Sequence, residues 1–236
     1  MLGLDPLTIS SLLVLAGQQV TCPAHDPTKI NIIPRTEKVE YDRSQTLKQI
    51  QGYSMDTVDP YGFHGTTITQ GFMQGKIGLE HKIKFGQMKN PGVNISCVWY
   101  SDITVEIFID PKIVIAKELY RDPCMRKAII NHELKHVRVD REMVNKYAKS
   151  MGQKLLSALK SRGFESGPIY TEKTQGVMQK MQRVVHQILE LEYQKMGLER
   201  REKQREVDSL EEYQSVDNQC PAFKKKKNKI YSDLLK

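Results

Sequence analysis

The sequence lacks the motifs that mark several large functional classes. It contains no glycine-rich phosphate loop, no internal repeat and no Ser-His-Asp signature, so nothing in it indicates nucleotide binding or serine-type hydrolysis. It has four cysteines, Cys22, Cys97, Cys124 and Cys220, and none of them belongs to a CxxC pair. Their even number and wide spacing favour disulfides over a cysteine metal site and leave all three possible pairings open.

The start of the sequence lacks a hydrophobic run long enough to span a bilayer. The apolar stretch from Leu7 to Gly17 is short, and small residues follow it near Thr21 to Ala24. This pattern predicts a signal peptide over residues 1–24 and export to the periplasm or the extracellular space. No Lys or Arg precedes the stretch, and Asp5 stands where a positive charge is expected. A buried N-terminal element is therefore the alternative.

Features of nucleic-acid-binding proteins are absent as well. The net charge is +8, and lysines concentrate at Lys224–Lys227 and Lys229, but no zinc finger, RNA-binding sheet motif or aromatic-interleaved basic stripe accompanies them. Acidic and basic residues alternate between 199 and 206, as on a solvent-exposed helix. We expect no nucleic-acid partner and a basic, flexible tail over residues 216–236, which can touch the anionic cell envelope peripherally.

The sequence does contain an HExxH motif, His132-Glu133-Leu134-Lys135-His136. Residues four positions apart lie one turn apart on the same face of a helix, so both imidazoles can bind one ion. The carboxylate between them can take a proton from water that the ion activates. The motif predicts His132 and His136 as metal ligands and Glu133 as the general base.

The surrounding pattern places the motif deep inside a helix. Asp122 or Pro123 can begin this helix, and no proline or glycine interrupts the chain from Cys124 to Met151. A core-facing stripe consists of Ile130, Leu134, Val137, Val144, Met151 and Leu155. The histidine face mixes polar and apolar residues and is expected to face a cleft. Partly buried structural histidines are the alternative interpretation.

In this motif the sequence resembles the zincin class of metallopeptidases, over roughly Asp122 to Leu156. More loosely, it resembles uncharacterised bacterial secreted zincin-like proteins. The resemblance implies an α+β fold over residues 25–215, in which a small N-terminal β-rich region packs on a long HExxH helix and a second long helix follows. It also implies a zinc-dependent hydrolase, specifically a peptidase, with Zn²⁺ as cofactor and a protein or peptide as substrate.

Two other functional hypotheses compete with the peptidase. The first is a non-catalytic binding protein of the cell envelope that retains a zincin-like fold. The second is a helical envelope protein in which the five-residue motif has arisen by chance. Metal content and Glu133-dependent turnover would separate the three hypotheses.

The third zinc ligand stays open at the level of sequence. Asp140 lies one turn beyond the second histidine, but it is about 12 Å from His132 along a straight helix, which suits a shared ion poorly. It is equally well interpreted as a partner that orients His136 or as a solvated charge. No glycine ends the helix after His136, as it does in metzincins.

A ligand from a downstream helix would resemble the gluzincin arrangement. Such a helix is predicted over Thr171–Arg205, where an apolar face accompanies several candidate ligands. The candidates beyond Asp140 are His186, Glu190, Glu192 and Glu212. Glu212 also fits a capping box that begins at Ser209, which we prefer as its interpretation.

Between Lys29 and Asp110 the pattern is typical of β structure. Ile30–Ile33 and Lys38–Tyr41 are predicted short strands, Val93–Tyr100 and Asp102–Ile109 a predicted hairpin, Thr46–Gln51 a short helix and Asp59–Gly65 a turn. We expect the hairpin strand that ends before Pro111 to bind the substrate backbone beside the metal.

Overall fold

The computed structural model describes residues 14–15, 18–53, 68–223, 226 and 229–232. They form an α+β fold with a five-stranded sheet and long helices. The strands are β1 (Val14–Leu15), β2 (Gln18–Gln19), β3 (Lys29–Thr36), β4 (Glu40–Asp42), β5 (Gly71–Asn90), β6 (Ile95–Ile115) and β7 (Glu165–Tyr170). The helices are α1 (Leu47–Ile50), α2 (Lys117–Tyr120), α3 (Pro123–Arg162), α4 (Thr174–Val207) and α5 (Leu210–Asn218), with short 3-10 segments at Thr171–Lys173 and Pro221–Phe223. The predicted turn at Asp59–Gly65 and much of the predicted leader lie outside the described residues.

Strand β6 is the centre of the sheet, because β3, β4, β5 and β7 all pair with it. β4 runs parallel to β6, with Tyr41 opposite Ile113. β7 runs antiparallel to β6, with Ile169 opposite Ser96. Alternate residues of β6 from Ile103 to Ile109 are buried almost completely, which is the period of two expected for a strand that covers a core.

The predicted hairpin between Val93 and Ile109 is wrong, because both of its segments belong to the single strand β6. The strand that precedes β6 in sequence and pairs with it is β5, whose four glycines interrupt the apolar alternation that is typical of a strand. Two of these glycines lie under aromatic rings of β6. A Cβ on Gly78 would come within 2.2 Å of Phe108, and one on Gly86 within 2.1 Å of Trp99. The glycines make room for these cross-strand rings.

Helix α3 begins where the sequence predicts. Asp122 accepts hydrogen bonds from the backbone N–H groups of Cys124 and Met125 at 3.0 and 3.1 Å, which caps the helix. Pro123 occupies the first helical position, where its missing N–H costs nothing. The helix continues to Arg162. The members of the predicted stripe that are buried are Val137, Val144, Met151 and Leu155.

The chain forms two compact units, and β3, β5, β6, α3 and α4 each contribute residues to both. The first unit consists of Met1–Pro34, Leu79–Ile107 and Lys146–Lys195. It contains a disulfide between Cys22 and Cys97. The second unit consists of Arg35–Gly78, Phe108–Asn145 and Met196–Lys236, and it contains the HExxH motif.

The core of the second unit combines sheet, helix and C-terminal residues. Its buried members include Ile113, Ile115, Leu119, Ile129, Val137, Val216, Cys220 and Phe223. A disulfide between Cys124 and Cys220 links the first turn of α3 to the segment that follows α5. This packing differs from the predicted flexible tail over residues 216–236, because buried apolar side chains and the disulfide anchor the chain as far as Phe223.

The two disulfides confirm the prediction made from the cysteine spacing. They are consistent with an oxidising compartment outside the cytosol. None of the helices in the described part of the chain combines the length and apolar character needed to cross a membrane. The predicted boundary of the leader at residue 24 disagrees with the bond between Cys22 and Cys97, because removal of residues 1–24 would remove Cys22.

Candidate metal centre

Three buried side chains of the second unit converge on one point. The carboxylate oxygen Oδ1 of Asp208 lies 3.6 Å from Nε2 of His132 and 3.1 Å from Nε2 of His136. One ligand atom from each residue lies within 4.8 Å of the other two. In a tetrahedral zinc site with bonds of about 2.0–2.1 Å, neighbouring ligand atoms are roughly 3.3 Å apart. The three side chains therefore fit a single metal ion.

Helix α3 supplies both histidines of this group. They lie one turn apart, and their rings are nearly perpendicular, with centroids 5.1 Å apart and an interplanar angle of 84°. Both side chains are buried, at 8% and 7% exposure. Val137 on the adjacent face of the helix packs into the core, which fixes the direction in which the imidazoles point. As the spacing in HExxH predicts, the two imidazoles therefore lie on the same face of the helix.

The third member, Asp208, lies in the turn between α4 and α5. Ser209 is the N-cap of α5, because its hydroxyl accepts a hydrogen bond from the N–H of Glu212 at 3.4 Å. This is the N-cap predicted from the sequence. The backbone N–H of Asp208 still bonds to the carbonyl of Gln204 at 3.2 Å, so the last turn of α4 holds its carboxylate against the histidines.

Two of the predicted third ligands lie beside the group without joining it. Asp140 accepts hydrogen bonds from Arg200 at 2.6 and 3.2 Å and from Gln204 at 2.7 Å. Glu212 forms an ion pair with Lys135, and its Oε2 is 4.0 Å from Nδ1 of His132. Both carboxylates are therefore occupied by other partners.

The remaining candidates belong to the first unit and contact residues of that unit. His186 stacks with His81, with ring centroids 5.7 Å apart. Glu190 accepts a hydrogen bond from Gln194, and Glu192 bonds to Ser150 and Lys195. None of the three belongs to the metal-binding group found among the described residues.

Gln204 fixes the orientation of the His136 ring. Its amide nitrogen donates to the backbone carbonyl of His136 at 3.2 Å and to Asp140 at 2.7 Å. Because that nitrogen is the donor, Oε1 of the same amide is the acceptor that faces Nδ1 of His136 at 2.5 Å. The proton of the neutral ring therefore lies on Nδ1, and the lone pair of Nε2 faces Asp208.

Glu133 is buried beside the three converging residues, at 3% exposure. Burial raises the pKa of its carboxyl group; the charges of His136 and His132 and a hydrogen bond from the N–H of Met73 oppose this rise, whereas Asp208 adds to it. Its Oε2 atom has no hydrogen-bond partner among the described residues, so the bond from Met73 serves the other oxygen. One carboxylate oxygen of Glu133 therefore accepts the hydrogen bond from Met73, and the other, Oε2, is available to accept a proton.

The surroundings of His136 favour a second proton on its ring, at Nε2, in the metal-free protein. Burial alone would lower the pKa of this imidazole, but the hydrogen bond to Asp208 and the charges of Glu133 and Asp208 outweigh burial and raise it to about 9. A metal ion needs the lone pair of Nε2, so it has to displace that proton. The negative groups that hold the proton are the same groups that would attract the ion.

A cavity of about 230 Å³ opens onto these residues. Its apolar wall includes Phe72, Met73, Ile129 and Val216, and its polar wall includes His132, Glu133, His136, Arg200, Arg201, Gln204 and Asp208. The strand that lines the cavity is β5, from Gly71 to Gly75. The hairpin strand predicted to bind substrate, which ends before Pro111, does not contribute to this wall.

A glycine allows β5 to approach α3 at the edge of the cavity. A Cβ on Gly71 would lie 2.7 Å from the side chain of Ile129 and 2.8 Å from the carbonyl oxygen of Val114. These distances are shorter than van der Waals contacts, so any other residue would push the strand away from the helix. The close approach brings the backbone of Met73 within hydrogen-bond reach of Glu133.

Comparisons with protein-family models, with curated proteins and with solved structures found no match to this chain.

Proposed function

We propose that the protein is a zinc-dependent hydrolase with a zincin-like arrangement of its active site, and that it acts as a peptidase. The observation that carries this proposal is the convergence of His132, His136 and Asp208, with the available oxygen of Glu133 beside them. Two imidazoles and one carboxylate are the kind of donor set that catalytic zinc uses, because they leave a coordination position for substrate or solvent. We propose Asp208 as the third ligand.

Zinc held by these residues would supply Lewis acidity, which polarises a scissile carbonyl and lowers the pKa of water. The available Oε2 of Glu133 takes the proton from the attacking water. Burial raises the pKa of this carboxyl group, so Glu133 can keep the proton long enough to deliver it to the departing amine. Gln204 keeps Nε2 of His136 directed at the ligand position throughout.

The surroundings of the site agree with a substrate larger than a small polar molecule. The cavity lining combines apolar side chains, among them Phe72, Met73, Ile129 and Val216, with the polar residues of the metal centre, which suits a side chain of a peptide. The two disulfides and the export expected from the sequence would place the enzyme outside the cytosol, where we expect its protein or peptide substrate.

The decisive experiment measures metal and turnover in matched variants. Purified wild type should contain about one equivalent of zinc by elemental analysis and should cleave casein or members of a peptide library. Glu133→Gln preserves the shape of the side chain, so it should retain zinc and lose nearly all turnover. His136→Ala should lose zinc, with circular dichroism used to check that the variant is folded.

The outcomes separate the competing hypotheses. Zinc without Glu133-dependent turnover would favour the non-catalytic binding protein of the cell envelope. A wild-type protein that binds no divalent metal, even after dialysis against zinc, would refute the metal centre and leave the motif as an accident of sequence.

A further inference from the structure

Two neighbouring arginines of α4 line the cavity, and they differ in how their charges are balanced. Arg200 donates hydrogen bonds to both oxygens of Asp140, at 2.6 and 3.2 Å. The side chain of Arg201 is exposed and forms no ion pair with any residue in the described part of the chain. The charge of Arg200 is therefore committed to the protein, whereas that of Arg201 is not.

The sequence around Arg201 explains why its charge is unbalanced. Side chains three or four positions away on a helix are the ones that can form local ion pairs. For Arg201 these positions hold Gly197, Leu198, Gln204 and Arg205. None of them is acidic, so α4 offers this guanidinium no carboxylate of its own.

The balance of charges in the cavity also distinguishes Arg201 from the other charged lining residues. A divalent ion at the proposed zinc site would balance Glu133 and Asp208, and Asp140 balances Arg200. Among the described residues that line the cavity, Arg201 is then the one whose charge is not balanced. Because guanidinium groups bind carboxylates in a planar, bidentate manner, an anionic group on the substrate is the complement of this wall.

Part of the cavity lining is apolar. Phe72, Met73, Ile129 and Val216 line it, and the last three come from a strand and two helices that meet at the metal centre. A substrate that fills the cavity is therefore expected to carry both an apolar side chain and a negative charge.

We propose that this cavity selects peptides that carry a carboxylate close to an apolar residue at the scissile bond, and that Arg201 is the residue that binds the carboxylate. The inference rests on the proposed zinc peptidase. The carboxylate has two chemical sources, the side chain of Asp or Glu within a peptide and the free C-terminus of a peptide, and the experiment distinguishes them.

The test uses the zinc-loaded full chain and four peptides that share the same apolar residue at the scissile bond. One peptide is neutral with an amidated C-terminus, one is neutral with a free C-terminus, one contains Glu with an amidated C-terminus, and one contains Lys in that position. We expect kcat/KM to be on the order of tenfold higher for a peptide with a carboxylate than for the neutral amide. Preference for the second or the third peptide identifies the source.

The variants then assign the preference to one side chain. Arg201→Gln should abolish the preference, and Arg201→Glu should shift it towards the Lys peptide. Arg205→Glu is the matched control, because Arg205 is an exposed arginine one turn further along α4 that does not line the cavity. This control introduces the same change in net charge and should leave the preference as in wild type.

Each result bears on the inference. Three results would overturn the role of Arg201: equal turnover of all four peptides, a preference that survives in both Arg201 variants, or a preference that disappears in the Arg205 control. If Glu133→Gln abolishes turnover in the same experiments, the proposed peptidase is unaffected by these results. Absence of Glu133-dependent turnover of all four peptides would overturn the peptidase and this inference with it.

Discussion

The side chain of Gln204 offers the sharpest test of how the metal centre is built. Gln204 is 3% exposed and makes three hydrogen bonds, to Nδ1 of His136, to the His136 carbonyl and to Asp140. Gln204→Met keeps the length of the side chain and removes all three bonds. The ring of His136 then loses the acceptor that places its proton on Nδ1.

The expected loss of zinc affinity follows from that change. A hydrogen bond of this kind contributes about 1 kcal/mol, and removing the partner of a metal-bound histidine typically weakens metal binding by about 10–100-fold. We expect the Kd for zinc to rise within that range in Gln204→Met. The metal-free protein should also lose about 1–3 kcal/mol of unfolding free energy, because Asp140 loses one of its buried donors.

A second variant separates the orientation of His136 from the bracing of α3 against α4. Gln204→Glu restores an acceptor for Nδ1 but places a second carboxylate beside Asp140. It should therefore bind zinc more tightly than Gln204→Met while its metal-free form is at least as unstable. Gln194→Met is the control, since Gln194 is exposed on the same helix and bonds to Glu190.

The assay is competition with a chromophoric zinc chelator, accompanied by urea unfolding of the metal-free proteins. If Gln204→Met loses stability but binds zinc as tightly as wild type, Gln204 is only a brace between helices. The proposed orientation of His136 would then be refuted.

Three further predictions concern the ligand, the disulfide and the acid stability of the protein. Asp208→Asn should weaken zinc binding at least tenfold, because it removes the anionic ligand while keeping its shape; equal affinity in the chelator assay would exclude Asp208 as a ligand. Replacing Cys124 and Cys220 by serine opens a loop with a sequence separation of 96 residues and should cost about 4–5 kcal/mol in urea unfolding; a loss below about 1 kcal/mol would show that the C-terminal segment is held by packing alone. Hydrogen bonds from the side chain and then the backbone of Ser44 lower the pKa of Asp42 from 3.8 to about 2. The stability that Asp42 contributes is therefore present above pH 3.8 and is lost as the pH falls towards 2. Ser44→Ala should make stability less dependent on pH in that window, and an unchanged pH profile would contradict this account.

The part of the site that the sequence predicts is the part that a single helix determines. His132, Glu133 and His136 lie within five residues, so the geometry of α3 alone sets their relative positions. Asp208 lies 72 residues beyond His136 in the sequence, and its place depends on how α4 packs against α3. No local sequence pattern predicts how α4 packs against α3. The N-cap at Ser209 already explained the polar residues around it, so Asp208 was not considered as a ligand.

The fold shows the same division between local and long-range information. Asp122 and Pro123 fix the start of α3 through capping, which is local and was predictable. Strand β5 was not predicted because Gly78 and Gly86 interrupt the apolar alternation of their own strand. These positions are glycines because aromatic rings of β6 occupy the space of a side chain. A glycine that accommodates a neighbouring ring weakens the sequence signal of the strand that contains it.

A long-range signal is nevertheless present in the spacing of two helices. On α3, His132, His136 and Asp140 recur at every fourth position. Arg200 and Gln204 on α4 and Asp208 directly after it have the same spacing. The structure pairs the two series in opposite directions. Asp140 binds Arg200, Gln204 reaches both Asp140 and His136, and Asp208 faces both histidines.

This pairing explains why Asp140 is not a ligand and why Asp208 can be one. Each step of four residues advances a helix by about 6 Å, so an acid on α3 itself moves away from His132 with every turn. An acid on an antiparallel helix moves back towards His132 instead. The turn from Gln204 to Asp208, at the C-terminal end of α4, then contacts both nitrogens of the His136 ring, with Gln204 at Nδ1 and Asp208 at Nε2. The same turn that orients the ligand thus completes the metal centre, and a change in the register of α4 against α3 would remove both contacts together.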